Sequence, residues 1–168
     1  MLIIAESLAQ LDFDALMDIY AEGNRENGER LWPEKPEEDG MILAKREFHR
    51  YLMEQFFTKP GAVYAVWEVD GNYVSALRLE PYWDGLLLEA LETRPEERKK
   101  GYAVTRIRAV QDWLRKQGGF KVYSHVSKRN TPSLKTHEQC GFCRFMEHTV
   151  WLDGSVNSNA YTMLCEEA

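Results

Sequence analysis

The sequence predicts a mixed α/β (α+β) fold, with a mixed central sheet flanked by helices and at least one parallel pair of neighbouring strands. Three observations carry this. Strand-length apolar bursts alternate with segments whose apolar residues recur three and four apart, so both periods occur in one chain. Leu86 to Val126 reads as strand, turn, helix and strand, a unit whose two strands run parallel with a right-handed crossover. The 168 residues, 44% hydrophobic and 29% charged, suffice for one substantial core, and no linker or internal repeat divides residues 1–168, which read as a single domain.

Taken in order, Leu2 to Ala5 is a short strand, and Asp12 is placed to cap a helix with Phe13, Leu16, Met17 and Tyr20 on one face. From Glu22 to Gly40 the period is lost. Gly23, Asn24, Asn27, Gly28, Pro33, Pro36 and Gly40 punctuate an acidic stretch, which predicts a long loop with room for a turn of helix. It is either a mobile acidic loop with Trp32 tucked onto the core, or a substrate lid whose carboxylates attract a cationic amine. A second helix follows from Met41 to Phe57, with Met41, Phe48, Leu52, Gln55 and Phe56 on one face and Lys59-Pro60-Gly61 as its stop. His49, at the edge of that face, reads as packing or surface. Ala62–Val69 and Tyr73–Leu79 around Asp70-Gly71-Asn72 form a hairpin. Pro81 to Gly85 then turns the chain, its aromatics serving as core cover or lining a pocket.

The next stretch is the one with chemical promise. Leu86 to Thr93 is a largely buried strand, Pro95 forces the chain out of it, and a charged turn reaches Gly101 before a helix with Ala103, Ile107, Val110 and Leu114 on one face. A helix start carries unpaired N–H groups and partial positive charge, Arg98, Lys99 and Lys100 add more, and Gly101 has no side chain to keep a ligand off the backbone. This is either a phosphate cradle or a plain turn with solvated lysines. Neither a Walker A loop nor a Gly-x-Gly-x-x-Gly fingerprint occurs.

Gly118-Gly119 stops that helix, Lys121 to Val126 is a strand, and Thr131 is placed to cap a further helix with Pro132 at its first position. Cys140-Gly141-Phe142-Cys143 follows a helix instead of opening one and has no second pair, so Gly141 reads as a left-handed cap and no metal is assigned. Phe145–Leu152 and Asn159–Cys165 close the chain as a hairpin. A net charge of −6 disfavours nucleic acid, no apolar run is long enough for a membrane span, and Met1 to Ala5 lacks a basic flank, so a cytoplasmic location is expected.

Two stretches resemble signatures of the GCN5-related N-acetyltransferase superfamily. Arg98-Lys99-Lys100-Gly101-Tyr102-Ala103 is similar to its Gln/Arg-x-x-Gly-x-Gly/Ala motif. Asn130, Ser133, Gly141 and Phe142 match Asn-x-x-Ser/Ala-x-x-x-Tyr-x-x-x-Gly-Phe, with His137 where the tyrosine stands. The element order resembles the superfamily end to end. The resemblance implies the acyl-CoA N-acyltransferase fold, with two parallel strands splaying at the cofactor site, and acetyl-CoA (coenzyme A) as co-substrate. It implies that Arg98, Lys99, Lys100, Gly101, Tyr102, Ala103 and Val104 hold the diphosphate, and that Leu91, Thr93, Asn130 and Ser133 hold the pantetheine arm. His137 inherits the general-acid place, and imidazole, which titrates near neutrality, is able to fill it; the alternative is a helix-surface histidine with the thiolate leaving unaided. For the base, His125 stands where relatives that acetylate ribosomal proteins carry a glutamate; Glu92 is the other candidate and Glu89 a third. The implied activity is direct acetyl transfer to a primary amine, the acidic stretch favouring a small cationic one. The alternatives are a catalytically weak acyl-CoA-binding or regulatory module, or a protein N-terminal or lysine acetyltransferase. The implied partner is a small-molecule amine, and self-association into a homodimer is left open.

Overall fold

A computed structural model describes residues 1–168. The chain runs β1 (Leu2–Ala5), α1 (Phe13–Ile19), α2 (Ala21–Leu31), α3 (Glu37–Tyr51), β2 (Val63–Val69), β3 (Asn72–Tyr82), β4 (Gly85–Thr93), α4 (Tyr102–Arg115), β5 (Phe120–Ser127), α5 (Thr131–Gln139), β6 (Cys143–Met146), β7 (Thr149–Val150), β8 (Val156–Asn157) and β9 (Ala160–Glu167). Seven strands form one sheet in the order β1-β2-β3-β4-β5-β9-β6, and only β4 and β5 are parallel. One core joins Leu77, Leu79, Leu88, Val122 and Val126 to Ile107 and Val110 of α4 and Leu134 of α5. The other joins Tyr64, Val66 and Ala76 to Leu16, Met17 and Ile19 of α1 and to Leu52 and Phe56 after α3. The sheet is therefore covered by α4 and α5 on one face and by the N-terminal helices on the other, as alternation of side chains along its strands requires.

Asp12 caps α1, its Oδ1 accepting from Ala15 N–H at 3.0 Å, and the β2–β3 hairpin turns at Asp70-Gly71. The loop expected from Glu22 to Gly40 is a correction: most of it is α2 and the start of α3. Gly28 and Gly40 are not breakers there but a contact. A Cβ on Gly28 would lie 2.6 Å from the Gly40 carbonyl carbon, so the bare backbones let the two helices touch. α3 thus begins at Glu37, earlier than expected, and continues as a π-helical turn over Leu52–Phe56. Trp32 ends α2 and is half-buried. The cap of α5 is Asn130, not Thr131, with Oδ1 accepting from Ser133 N–H at 3.1 Å. The closing hairpin is also revised: β6 pairs with β9, and the expected strand between them breaks into the separate β7–β8 ribbon.

β4 carries the distortion that positions the site. Between Ala76 and Arg78 of β3, β4 advances from Glu92 to Glu89, one residue too many, and Ala90 takes a φ of +52°. This is a bulge, which bends a strand and increases its twist. It is pinned from both faces: Tyr20 Oη donates to the Ala90 carbonyl at 2.8 Å, and Arg106 of α4 donates to the Glu92 carbonyl at 3.0 Å. The ladder to β5 runs only through Leu86–Val122, Leu87–Tyr123 and Leu88–Ser124. Beyond that the two strands part.

Candidate active site at the parting strands

The gap is a cleft of about 230 Å³ lined by Leu88 to Leu91 on one side, Ser124 to Ser127 on the other, and Asn130, Ser133 and His137 of the α5 region. At its far end the chain passes Pro95–Glu97 and enters α4 through Lys99 at φ +64° and Gly101 at φ +81°. The first N–H of α4 to find a carbonyl is that of Thr105, on Gly101 at 3.0 Å; the amides from Lys99 to Val104 donate to nothing in the protein. Residues 98–101 are exposed, and a Cβ at Gly101 would meet no atom within 4 Å. Glycine is there for its left-handed backbone, which turns these amides outward together. Orphaned amides on an open helix start are the chemistry a diphosphate requires, so the segment fits the coenzyme, and Tyr102 and Ala103 occupy the first turn.

The basic side chains are differently disposed. Arg98 reaches Glu22 of α2 through two contacts, at 2.7 and 3.3 Å, and Glu92 at 3.1 Å; Lys100 pairs with Glu97 at 2.8 Å; Lys99 makes no ion pair. Glu92 therefore serves as a partner of Arg98 at the rim, with its second role on its neighbour's amide, Thr93 N–H, at 3.2 Å. Thr93 Oγ1 lies 3.0 Å from Ser75 Oγ, inside the β3–β4 ladder, and Leu91 packs on the α4 core.

The two histidines lie on opposite faces of β5. His137 is 1% exposed. Its Nδ1 lies 2.8 Å from the Ser133 carbonyl, which only accepts, so Nδ1 carries the proton; Nε2, 2.8 Å from Ser124 Oγ, accepts the hydroxyl hydrogen. Burial holds this imidazole below the usual histidine range, so it stays neutral with its one proton committed. His125 faces the other way. Its ring sits 5.5 Å from Tyr82 and 5.3 Å from Trp151, both nitrogens are buried without a partner, and desolvation lowers its pKa as well.

Glu89 shares the His125 face. It is largely covered beside Arg78, whose Nε lies 3.7 Å from Oε1, and near Glu80, which is itself paired with Lys59 at 2.9 Å. Burial first, then the hydrogen bond with Glu80 and its charge, outweigh Arg78 and raise the Glu89 carboxyl to about 7. Arg78 is pinned over the rings of Phe48, Tyr51 and Phe56, so it cannot close onto the carboxylate without leaving them. On the α4 side Arg106 is wholly buried, bonded to Ser75 and the Glu92 carbonyl, and desolvation brings it down to about 9.

Sequence reasoning missed Ser124, Tyr20 and Arg106, none of which sits in a motif. His137 could have been recognised as buried, because Leu134, His137 and the C-cap Cys140 recur three apart along α5 and its end.

The site has relatives. The aminoglycoside N(6')-acetyltransferase type 1 of Salmonella typhimurium is 27% identical over 116 residues, covering 67% of this chain and 78% of that protein. Among solved structures, the PaiA N-acetyltransferase of Thermoplasma acidophilum with coenzyme A superposes with a TM-score of 0.65 at 13% identity, over 99% of both chains. The ribosomal-protein-S18-alanine N-acetyltransferase of Escherichia coli gives 0.62 at 16%, over 99% of this chain and 94% of that one. A sequence model of the acetyltransferase (GNAT) family matches residues 14–142, more than half of the chain, and the protein belongs to that family.

Proposed function

We propose that the protein transfers an acetyl group from acetyl-CoA directly to the primary amine of a small molecule, with both substrates bound together. Acetyl-CoA-dependent acetyl transfer follows from the family; the acceptor and the residue roles are this proposal's own. The observation that carries it is the joining of two features: a cleft opened by the β4 bulge, and unpaired amides from Lys99 to Val104 at its end. Those amides, with Lys99 and whatever Arg98 and Lys100 release from their carboxylates, hold the diphosphate. The free edge of β4 at Leu91 and Thr93, and the side chains of Asn130 and Ser133, hold the arm. The bound thioester supplies the acyl group.

An amine attacks only after losing its proton. Glu89 is the better base than Glu92, because its carboxyl is poised near neutrality and unsatisfied at Oε1, whereas Glu92 is held by Arg98. His125, neutral and unpartnered on the same face, receives or orients the amine hydrogen. His137 acts as a positioning residue, tying α5 to β5 through Ser124.

One observation favours the second reading, an acyl-CoA-binding module with little turnover: His137 has no uncommitted proton for a departing thiolate. Thiol release from acetyl-CoA in the presence of a panel of primary amines decides between them. Amine-dependent release is expected; coenzyme A binding by calorimetry with no release for any amine sinks the catalytic reading.

A further inference from the structure

Beyond the cleft, on the His125 face, the turn between β3 and β4 and the loop after β7 form an open aromatic hollow of about 360 Å³. Pro81, Tyr82, Trp83, Trp151 and Leu152 line it. Trp83 stacks on Tyr82 with centroids 4.4 Å apart, and Tyr123 meets both edge-on at 5.4 and 5.1 Å. Tyr82 donates its hydroxyl to the Val150 carbonyl, which fixes the ribbon carrying Trp151 against the turn carrying Trp83. Trp83 itself has a φ of +48°, a costly conformation for a bulky residue, which keeps its indole on this turn. Yet Trp83, Trp151 and Leu152 remain 53%, 44% and 50% exposed. Three large apolar side chains around a concavity are what a ligand's apolar body would cover.

His125 links the two hollows from the cleft side. It lines the cleft, and its ring packs against Tyr82 and Trp151 of the aromatic hollow, which places the hollow next to the cleft. The hollow offers no free carboxylate: the nearby Asp84 is held by Lys121 at 2.8 Å and by the Tyr123 hydroxyl at 2.7 Å. The lining itself carries no carboxylate, so the several charges of a polycation would meet aromatic faces there, with Glu89 alone at the inner end.

We infer that the aromatic hollow is the acceptor subsite, and that it selects a primary amine borne on a short chain from an aromatic ring over a polycationic amino sugar. The ring lies between Trp83 and Trp151 and the nitrogen reaches His125 and Glu89. The inference deepens the acetyltransferase reading and rests on it. Thiol release is measured with 2-phenylethylamine, ethylamine and kanamycin, using the full chain and its Trp151→Ala and Trp83→Leu variants. Expected are a kcat/KM for 2-phenylethylamine at least tenfold above that for kanamycin, and a fall of at least tenfold in the phenylethylamine-to-ethylamine ratio in either variant, through KM. Kanamycin as the better substrate, or variants that leave that ratio unchanged, overturn the subsite while amine-dependent turnover still stands. Light scattering supplies the other arm: a dimer that Trp151→Ala converts to monomer assigns the indoles to a second copy of the chain and overturns the inference. Absence of thiol release with every amine instead removes the acetyltransferase reading beneath it.

Discussion

Replacing Glu89 by Gln tests the proton transfer at the centre of the proposed chemistry. The wild-type carboxyl titrates at about 7 because it is buried beside Glu80, so it is ionised in about a tenth of molecules at pH 6 and about nine tenths at pH 8. With amine and acetyl-CoA saturating, kcat for wild type rises roughly tenfold across that interval and levels off above it. Glutamine keeps the shape and removes the base. The expected loss is about 10²- to 10⁴-fold at pH 8, with the acid limb gone. A stability measurement separates chemistry from misfolding. Because the folded state raises this pKa, it retains a proton that the unfolded chain releases at ordinary carboxylate pH. Wild-type stability therefore falls as pH rises towards and through 7, by at most on the order of 3 kcal/mol for a displacement to about 7. The Gln variant lacks that fall and melts higher at pH 8. A Gln variant that keeps kcat within threefold of wild type, or keeps the same acid limb, refutes the assignment.

The other predictions concern the cradle and α5. Gly101→Ala meets no steric obstacle but forces an L-residue to φ +81°, a strain of about 1–2 kcal/mol. Calorimetry should show a Tm lower by roughly 2–8 °C, and titration should show coenzyme A affinity lowered about tenfold as the amides turn away. His137→Gln strips Ser124 of its ring acceptor and should cost about 1–3 kcal/mol in urea unfolding at pH 7.5. Because burial depresses the His137 pKa, its contribution is present above the unfolded histidine pKa and is lost as pH falls through the folded value. The variant's deficit should accordingly shrink towards pH 5; a deficit that grows on acidification contradicts a neutral buried ring.

What could be read from sequence followed from local rules. Asp12 before an apolar stripe, the glycine turn at Asp70-Gly71, and Pro95 followed by Gly101 ahead of α4 are each decided within a few residues, and the structure has them where expected. The parallel unit was legible because a helix between two strands leaves little other geometry. The bulge was not: Ala90 has no propensity for φ +52°, and its conformation is set by Tyr20, 70 residues away in the chain, and by Arg106. Gly28 and Gly40 misled for a related reason. Glycine looks the same in sequence whether it ends a helix or lets another one in, and only the partner helix distinguishes the two. Asn130 takes the cap expected of Thr131, and both are good cap residues. His137 reads from sequence as either the general acid or a helix-surface histidine, although its spacing from Leu134 puts it on the inward stripe.

The touching glycine backbones of α2 and α3 bear on how this region adapts to what it binds. Helices in contact without intervening side chains slide or splay poorly, so the pair behaves as one stiff bar and not as two flaps. One end of that bar presents Tyr20 to the bulge and, with Phe48 6.0 Å from Tyr20, the rings of Phe48, Tyr51 and Phe56 to Arg78. A guest that pushes on any part of it shifts the Ala90 carbonyl and the Arg78 guanidinium together, so the width of the opening and the setting of Glu89 are mechanically geared to each other.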